Sequence, residues 1–481
     1  MGASALHQRE SLNQQQEERE EAVVTRTKMN EGLNQQQEET VITQTNLVSD
    51  GSVPAPVIDP NLINPWGVSS SATGPFWISD NGAGVVTIHN GAGTQIAVAG
   101  HNAIEVATPP GQTTPASPTG QVFNASGSGF DVSSGGVTAP STFIFATEDG
   151  TISGWNPTVN SGSSILAVDN SMGGTGAVYK GLAIGQTDNG TFLFAANFRN
   201  GTVDVFDKDF KQVNSFTDPK VPAGFAPFNV QVLDNHLFVT FAKQDSAKHD
   251  DVAGPGNGFV DEFDLKGNLM QRVASGGPLD SPWGLAIAPS GFGEFANDLL
   301  VGNFGDGTIN AFDPKNDHFL GKLLDANGSP ITIQDLWALV PGNGTASDSQ
   351  KIFFTAGLQN EAHGLFGSLA RTPESAQSAK AMPGMQSSTT TNTAMPATAT
   401  MTGTQPSGSS PMMGISTAMS SGASSMPAVM PTTPVARSNT TMSAMTGSQP
   451  SVLGSSNPLM EMTTAMSGAL GSSSSSHPML G

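Results

Sequence analysis

Ser281-Pro282-Trp283-Gly284-Leu285-Ala286-Ile287 is followed by Asp298-Leu299-Leu300-Val301-Gly302-Asn303-Phe304-Gly305-Asp306-Gly307 and then by Thr308-Ile309-Asn310-Ala311-Phe312-Asp313. The phrase is an apolar strand opening on Pro-Trp-Gly, a second strand ending on Asn, an Asp-Gly turn, and a third strand ending on an aromatic. It returns as Asn64-Pro65-Trp66-Gly67-Val68 with Phe76-Trp77-Ile78-Ser79-Asp80-Asn81-Gly82 and Gly84-Val85-Val86-Thr87-Ile88. It returns again as Tyr179-Lys180-Gly181-Leu182 with Phe192-Leu193-Phe194-Ala195-Ala196-Asn197 and Thr202-Val203-Asp204-Val205-Phe206-Asp207. Looser copies start at Ser117-Pro118-Thr119-Gly120, Ala226-Pro227-Phe228-Asn229 and Asp335-Leu336-Trp337-Ala338.

Corresponding positions Trp66, Thr119, Lys180, Phe228, Trp283 and Trp337 lie 53, 61, 48, 55 and 54 residues apart. Self-similarity at this period, with two-residue alternation inside each strand, predicts a radial array of four-stranded sheets. Six copies predict an all-β, six-bladed β-propeller. Asn-Gly and Asp-Gly pairs predict type I′ turns between the second and third strands. Thr45-Asn46-Leu47-Val48-Ser49 precedes the first copy without a partner of its own, so it is expected to pair beside Gly364-Leu365-Phe366 and close the ring. The recurring Trp and Phe positions read as core between blades.

Outside the repeats the composition changes. Residues 1–44 are Gln/Glu-rich, residues 45–370 carry the propeller, and residues 371–481 are rich in Ser, Thr, Met, Pro and Ala. The arm repeats Leu12-Asn13-Gln14-Gln15-Gln16-Glu17-Glu18 at Leu33, an offset of 21 residues, yet its seam positions are too polar for a coiled coil. It reads as a partly helical or disordered arm. The tail holds 15 of the 19 methionines, but without the clustered histidines a copper site wants, and it reads as a disordered chain.

The net charge of −21 and a pI near 4.5 argue against nucleic acid as a partner. Cysteine is absent, which removes disulfides, thiolate metal sites and a cysteine nucleophile. No apolar run has the length of a signal h-region or of a membrane span, so the expectation is a cytoplasmic protein without membrane contact.

The blade phrase resembles that of six-bladed NHL-like propellers. Asn46-Leu47-Val48-Ser49-Asp50, Asp59-Pro60-Asn61-Leu62-Ile63-Asn64-Pro65-Trp66-Gly67 and Pro75-Phe76-Trp77-Ile78-Ser79-Asp80-Asn81-Gly82 are similar to an uncharacterised propeller family. That resemblance covers roughly residues 45–370 and implies bacterial, often exported relatives, some with PEP-CTERM sorting tails. It implies a fold and no established activity, and this chain departs from it at both ends.

Two function classes are weighed. Lactonase propellers bind calcium or zinc through oxygen ligands placed before the inner-strand glycine. Here those positions are Trp66, Thr119, Lys180, Phe228, Trp283 and Trp337, and only Thr119 offers a side-chain oxygen. A second set of oxygens comes from Asp80, Asn197 and Asn303 in one register, with Asp149 and Asp306 in adjacent turns and Asn64, Asn229, Asp280 and Asp335 near the strand starts. Asp80, Asn197, Asn303, Asn64 and Asn229, together with Trp66, Trp283 and Trp337, are the candidate ligand-binding residues, set against a purely turn-forming role for the Asx side chains. A divalent cation in the central channel would make the protein a hydrolase or lyase. The histidines are scattered, and no nucleophile elbow, phosphate loop or zincin motif occurs. The reading taken is a non-enzymatic scaffold that binds a protein or small polar ligand through its channel or rim loops. The long segments 108–136, 244–258 and 341–350, the second of them highly charged, are the candidate contact loops.

Overall fold

A computed structural model describes residues 40–373. The arm and tail readings concern residues that lie almost wholly outside that range. Within it the chain forms six sheets arranged as propeller blades, and one extra two-stranded hairpin. The innermost strands, in blade order, are Pro65–Ser69, Pro118–Phe123, Tyr179–Thr187, Phe225–Leu233, Pro282–Ile287 and Leu336–Pro341. Each packs beside the next, and the sixth packs beside the first.

The ring closes as expected. Ile42–Ser49 pairs antiparallel with Leu365–Arg371, with Val48 opposite Phe366 and Ser49 opposite Leu365. Leu47 and Val48 are buried with Phe76, Phe353 and Phe366, so the seam is apolar as well as hydrogen-bonded. Pairing the first strand onto the last sheet covers the edge of Leu365–Arg371 and joins the two chain ends in one blade.

One backbone bond recurs in every blade. The amide just past the second strand donates to the carbonyl just before the first: Asn81 to Asn64 (3.1 Å), Glu148 to Ser117 (3.0 Å), Phe198 to Val178 (2.8 Å), Gln244 to Gly224 (2.7 Å), Phe304 to Ser281 (2.9 Å) and Gly357 to Asp335 (2.9 Å). It ties the first strand's start to the second strand's end on one face, called here the front. Asn64, Ser281 and Asp335 adopt left-handed backbone to present this carbonyl, with φ of 47°, 47° and 52°. Asn and Asp tolerate that conformation best among residues with side chains.

The repeated inner-strand glycine has a steric cause. A Cβ on Gly67 would lie 2.4 Å from the Thr119 carbonyl oxygen, and one on Gly120 would lie 2.2 Å from the Leu182 nitrogen. Adjacent inner strands pass backbone to backbone at the axis, where the blades crowd. Between blades the Trp and Phe positions form core, as read: Trp77 stacks on Phe143 at 3.9 Å and leans on Trp155, while Phe76 packs against Phe353 and Phe366.

Two expectations are corrected. The turns after the second strands are not two-residue type I′ turns. Asp80 and Val85 are separated by four residues, only Gly84 is left-handed, and Gly84 N donates to Asp80 O at 2.9 Å. Asn197 and Gly201 repeat that bond at 2.9 Å. A type I′ turn needs positive φ at both central residues, and here a single glycine supplies it. Segment 108–136 is not one long contact loop, because it contains the inner strand Pro118–Phe123. The added element is the hairpin Asp131–Ser134 with Val137–Pro140, anchored by buried Phe130.

Candidate functional site

At the axis, aromatic side chains from the strand starts meet and fill the front half of the channel. Trp66 stacks on Trp337 with centroids 3.5 Å apart, Trp283 stands edge-on to both, and Phe228 and Phe304 close on Trp337. Trp66, Phe228, Trp283 and Trp337 are all buried. These are four of the six corresponding repeat positions, and symmetry brings them together.

The fifth, Lys180, is buried against the same plug. Its Nζ lies 4.9 Å from the Trp66 ring centroid and 5.8 Å from that of Phe198, a cation–π arrangement. It pairs with Glu148 and reaches Asp250 at 3.4 Å. Against the cost of burial, these two carboxylates hold the Lys180 pKa above its ordinary value.

From Lys180 a polar belt runs around the front mouth. Asn81 Nδ2 donates to Glu148 (2.9 Å), Asn64 Nδ2 to Asn81 (3.3 Å) and to Glu361 (2.6 Å), and Trp337 Nε1 to Asn64 Oδ1 (3.0 Å). On the other side His249 Nδ1 lies 2.8 Å from Asp250, and that hydrogen bond holds Asp250 down at about 2. Burial pushes Asp251 up to about 6 and Glu361 up to about 7, the latter against the Asn64 hydrogen bond. Five blades supply this chain of contacts: Trp337 and Glu361 from the sixth, Asn64 and Asn81 from the first, Glu148, Lys180, and the fourth blade's 244–258 loop. Among the described residues, Glu148, His249 and Asp250 are the trio of His and carboxylate groups whose ligand atoms lie within 4.8 Å of one another. The Lys180 ammonium already sits against two of them.

The rear half of the channel is open, with a volume near 520 Å³. Its wall is the second half of the inner strands, including Val68, Gln121, Leu182, Val232 and Leu339, and Trp283 forms part of its lining toward the plug. Among the described residues, no Asp, Glu, Lys, Arg or His lines it. Gln121 and Asn229 are fully engaged: Gln121 Nε2 donates to Gly67 O and Ser79 Oγ, and Asn229 Nδ2 donates to Trp283 O across the blade boundary at 2.7 Å.

The structure separates the polar candidates read from the repeats. Asp80, Asn197 and Asn303 are each buried within their own blade. Asp80 Oδ2 accepts from Thr87 N (3.0 Å), Asn197 Nδ2 donates to Asp204 (2.8 Å), and Asn303 Nδ2 donates to Asp306 (2.9 Å) and Pro278 O (2.9 Å). Burial, with the Asp59 charge adding, pushes the Asp80 carboxyl well above the usual range. Asn64 joins the front belt, Asn229 braces the plug, and Trp66, Trp283 and Trp337 are the plug. Sequence reasoning did not single out Glu148, Lys180, Asp250 and Glu361 as a group. The available signal was Lys180 itself, a cation in a register otherwise held by aromatics and a threonine.

No protein-family model matches the chain. Uncharacterised protein L690 of Acanthamoeba polyphaga mimivirus is 32% identical over 339 residues, which span 68% of this chain and 84% of that protein. The chain belongs to this mimivirus protein family. A second member, uncharacterised protein R648 of the same virus, is 30% identical over 334 residues, spanning 68% of this chain and 79% of that one. Among solved structures, a streptogramin B lyase covers 70% of the chain at 12% identity with a TM-score of 0.38, and the nidogen/laminin complex covers 62% at 12% identity with a TM-score of 0.37. They align over 99% and 86% of those chains. Likenesses this distant carry no argument about activity.

Proposed function

We propose that the protein is a binding module whose rear channel holds a small uncharged ligand. The observation that carries this reading is a channel of about 520 Å³, stoppered by the aromatic plug and, among the described residues, lined without one ionisable side chain. The volume falls within the range of small-molecule sites, roughly 300–1,000 Å³. A charged ligand entering such a wall would lose its hydration without a counter-charge, so the lining selects neutral molecules.

The test uses N-phenyl-1-naphthylamine, a neutral fluorescent probe, titrated into the full chain. Saturable binding of one probe per chain is expected, with the anionic 8-anilinonaphthalene-1-sulfonate markedly weaker. Gln231→Arg, which puts a long cation at a half-buried polar position of the channel lining, should abolish uptake. Equal uptake of the anionic probe, or uptake that survives Gln231→Arg, would place the probe elsewhere and end this reading.

A second reading is favoured by the front mouth, where Glu361 at about 7 and Asp251 at about 6 accompany His249. Carboxyls poised near neutrality suit general acid–base work. In this reading the mouth is the centre of a hydrolase or lyase that holds a divalent cation, and saturable manganese binding by the wild-type chain is the outcome that supports it.

A further inference from the structure

Away from the axis, a pocket near 450 Å³ lies where segment 170–177, between the second and third blades, meets the third blade's outer strands Thr202–Phe206 and Gln212–Phe216. It shares no lining residue with the rear channel or the polar belt. Its volume falls within the range of small-molecule sites. Its polar lining includes Asn170, Asn197, Asn200, Thr202, Gln212 and Ser215, and Asp204 is the one ionisable group among the described residues that line it.

The floor is held in place by its own hydrogen bonds. Asn170 Nδ2 donates to the buried Tyr179 hydroxyl at 2.8 Å. Asp204 accepts from Asn197 Nδ2 at 2.8 Å, Thr202 Oγ1 at 3.0 Å and the Tyr179 hydroxyl at 3.4 Å, so its charge is spent inside the protein. Asn200, Gln212 and Ser215 are exposed, and their side chains take no partner among the described residues. The rim is the turn of Met172, Gly173 and Gly174, all left-handed, with φ of 44°, 66° and 90°. Arg199 Nη1 pins that turn, donating to Gly174 O at 2.8 Å and Gly176 O at 3.1 Å. Met172 is a costly residue in that conformation, and it stands 78% exposed at the pocket's edge.

We propose that this pocket binds a neutral sugar residue, with its hydroxyls on Asn200, Gln212 and Ser215 and its C–H face against Met172. A sugar hydroxyl both donates and accepts, as do a carboxamide and a serine hydroxyl, so this lining can satisfy it. A wholly apolar molecule would strip water from the same groups and return no hydrogen bond. An anion would meet Asp204 with no cation in the lining to offset it. The flexible thioether supplies the apolar contact that the ring carbons need.

The experiment titrates D-glucose, D-galactose, D-mannose, L-fucose and N-acetyl-D-glucosamine into the full chain by calorimetry. At least one is expected to bind saturably with a Kd on the order of 1 mM, ordinary for a few neutral hydrogen bonds. Ser215→Trp fills the pocket from the face that Ser215 shares with Asp204, while Asn214→Trp puts the same bulk on the opposite face, beside Val205. The first should weaken the sugar at least about tenfold and the second less than about twofold. Should Ser215→Trp fail to fold, Gln212→Ala, which removes an exposed side chain, should still weaken it at least about threefold.

No saturable binding by any of these sugars overturns the proposal, as does a sugar that binds Ser215→Trp or Gln212→Ala as well as wild type. Equal loss in Ser215→Trp and Asn214→Trp would put the sugar on the strand's outer edge and not in the pocket, which also overturns it. A calcium-induced rise in melting temperature that Ser215→Trp abolishes would make the pocket a cation site, with the same consequence.

Discussion

Trp66 and Trp337 stack with ring centroids 3.5 Å apart and planes 20° apart, joining the first blade to the last. Thr355 Oγ1 adds a 2.6 Å bond to the Trp66 carbonyl across the same joint. The ring is therefore locked twice, at its rim by the Ile42–Ser49 strand and at its axis by this pair. Trp66→Ala opens a large cavity in the plug and should cost about 3–5 kcal/mol, read by urea denaturation. Trp66→Phe should cost clearly less. Equal losses would show that the stack contributes little beyond holding an aromatic.

Gly120→Ala tests the crowding at the axis. Its Cβ would lie 2.2 Å from a backbone nitrogen that no rotamer change can move aside. A destabilisation of at least about 2 kcal/mol is expected, from the usual cost of overpacking against fixed atoms. Gly100→Ala is a control, since its Cβ meets nothing within 4 Å and only the φ of 87° opposes it. Gly120 itself has no positive φ, so a loss there no larger than at Gly100 would mean that the axis relaxes to admit a methyl and that crowding does not explain the inner-strand glycine.

Lys180→Met removes the one charge that, among the described residues, forms a salt bridge with Glu148. Leaving that carboxylate without its counter-charge should cost about 3 kcal/mol or more. Adding Glu148→Gln to the same chain should recover much of the loss. With the ammonium gone, Glu148, His249 and Asp250 keep ligand atoms within 4.8 Å of one another, so manganese is expected to raise the melting temperature of Lys180→Met and not of wild type. A saturable manganese site in wild type would instead support the hydrolase or lyase reading.

The pH dependence follows from proton linkage. Asp80, Asp251 and Glu361 hold protons more tightly in the fold than their ordinary values of 3.8, 3.8 and 4.5 imply. The folded state therefore binds more protons than the unfolded chain above those values, and stability falls as pH rises, through about 6 for Asp251 and about 7 for Glu361. Asp250 works in the opposite sense: its contribution is present above 3.8 and is lost as pH falls toward about 2. Asp80→Asn should remove part of the alkaline loss, because Asn197 and Asn303 occupy the same place in blades three and five. Melting curves from pH 4 to pH 8 should show the variant gaining on wild type as pH rises; a constant offset would refute an ionisable Asp80 as the cause.

The number of blades, their order and the closing strand were legible because they rest on short-range signals. Strand alternation and Asx-Gly turns act within one blade and then repeat, and the inner-strand glycine repeats with them where each blade meets the next, so Leu47 and Val48 could be matched to the last sheet by elimination. The turn type was harder. Asn81-Gly82 looks like a two-residue turn, but the recurring Asn81-to-Asn64 bond holds the strand end, and Gly84 two residues later makes the reversal. The shared register of Asp80, Asn197 and Asn303 was also real, yet register places residues at like positions in different blades, not beside one another.

By itself the sequence determined the ring, since apolar periodicity and turn chemistry are properties of neighbouring residues. Only the tertiary structure decided what stands at the axis. Lys180, Glu148, Asp250 and Glu361 come from four blades, and nothing local to any of them signals the others; their pairing exists because closure carries the strand starts and the turns of one face to a common mouth. The tryptophan indoles belong to the same class. Three tryptophans could be read to occupy equivalent places, but which of them would find an acceptor depended on asymmetric neighbours, Asn64 beside Trp337 and, among the described residues, none beside Trp66 or Trp283.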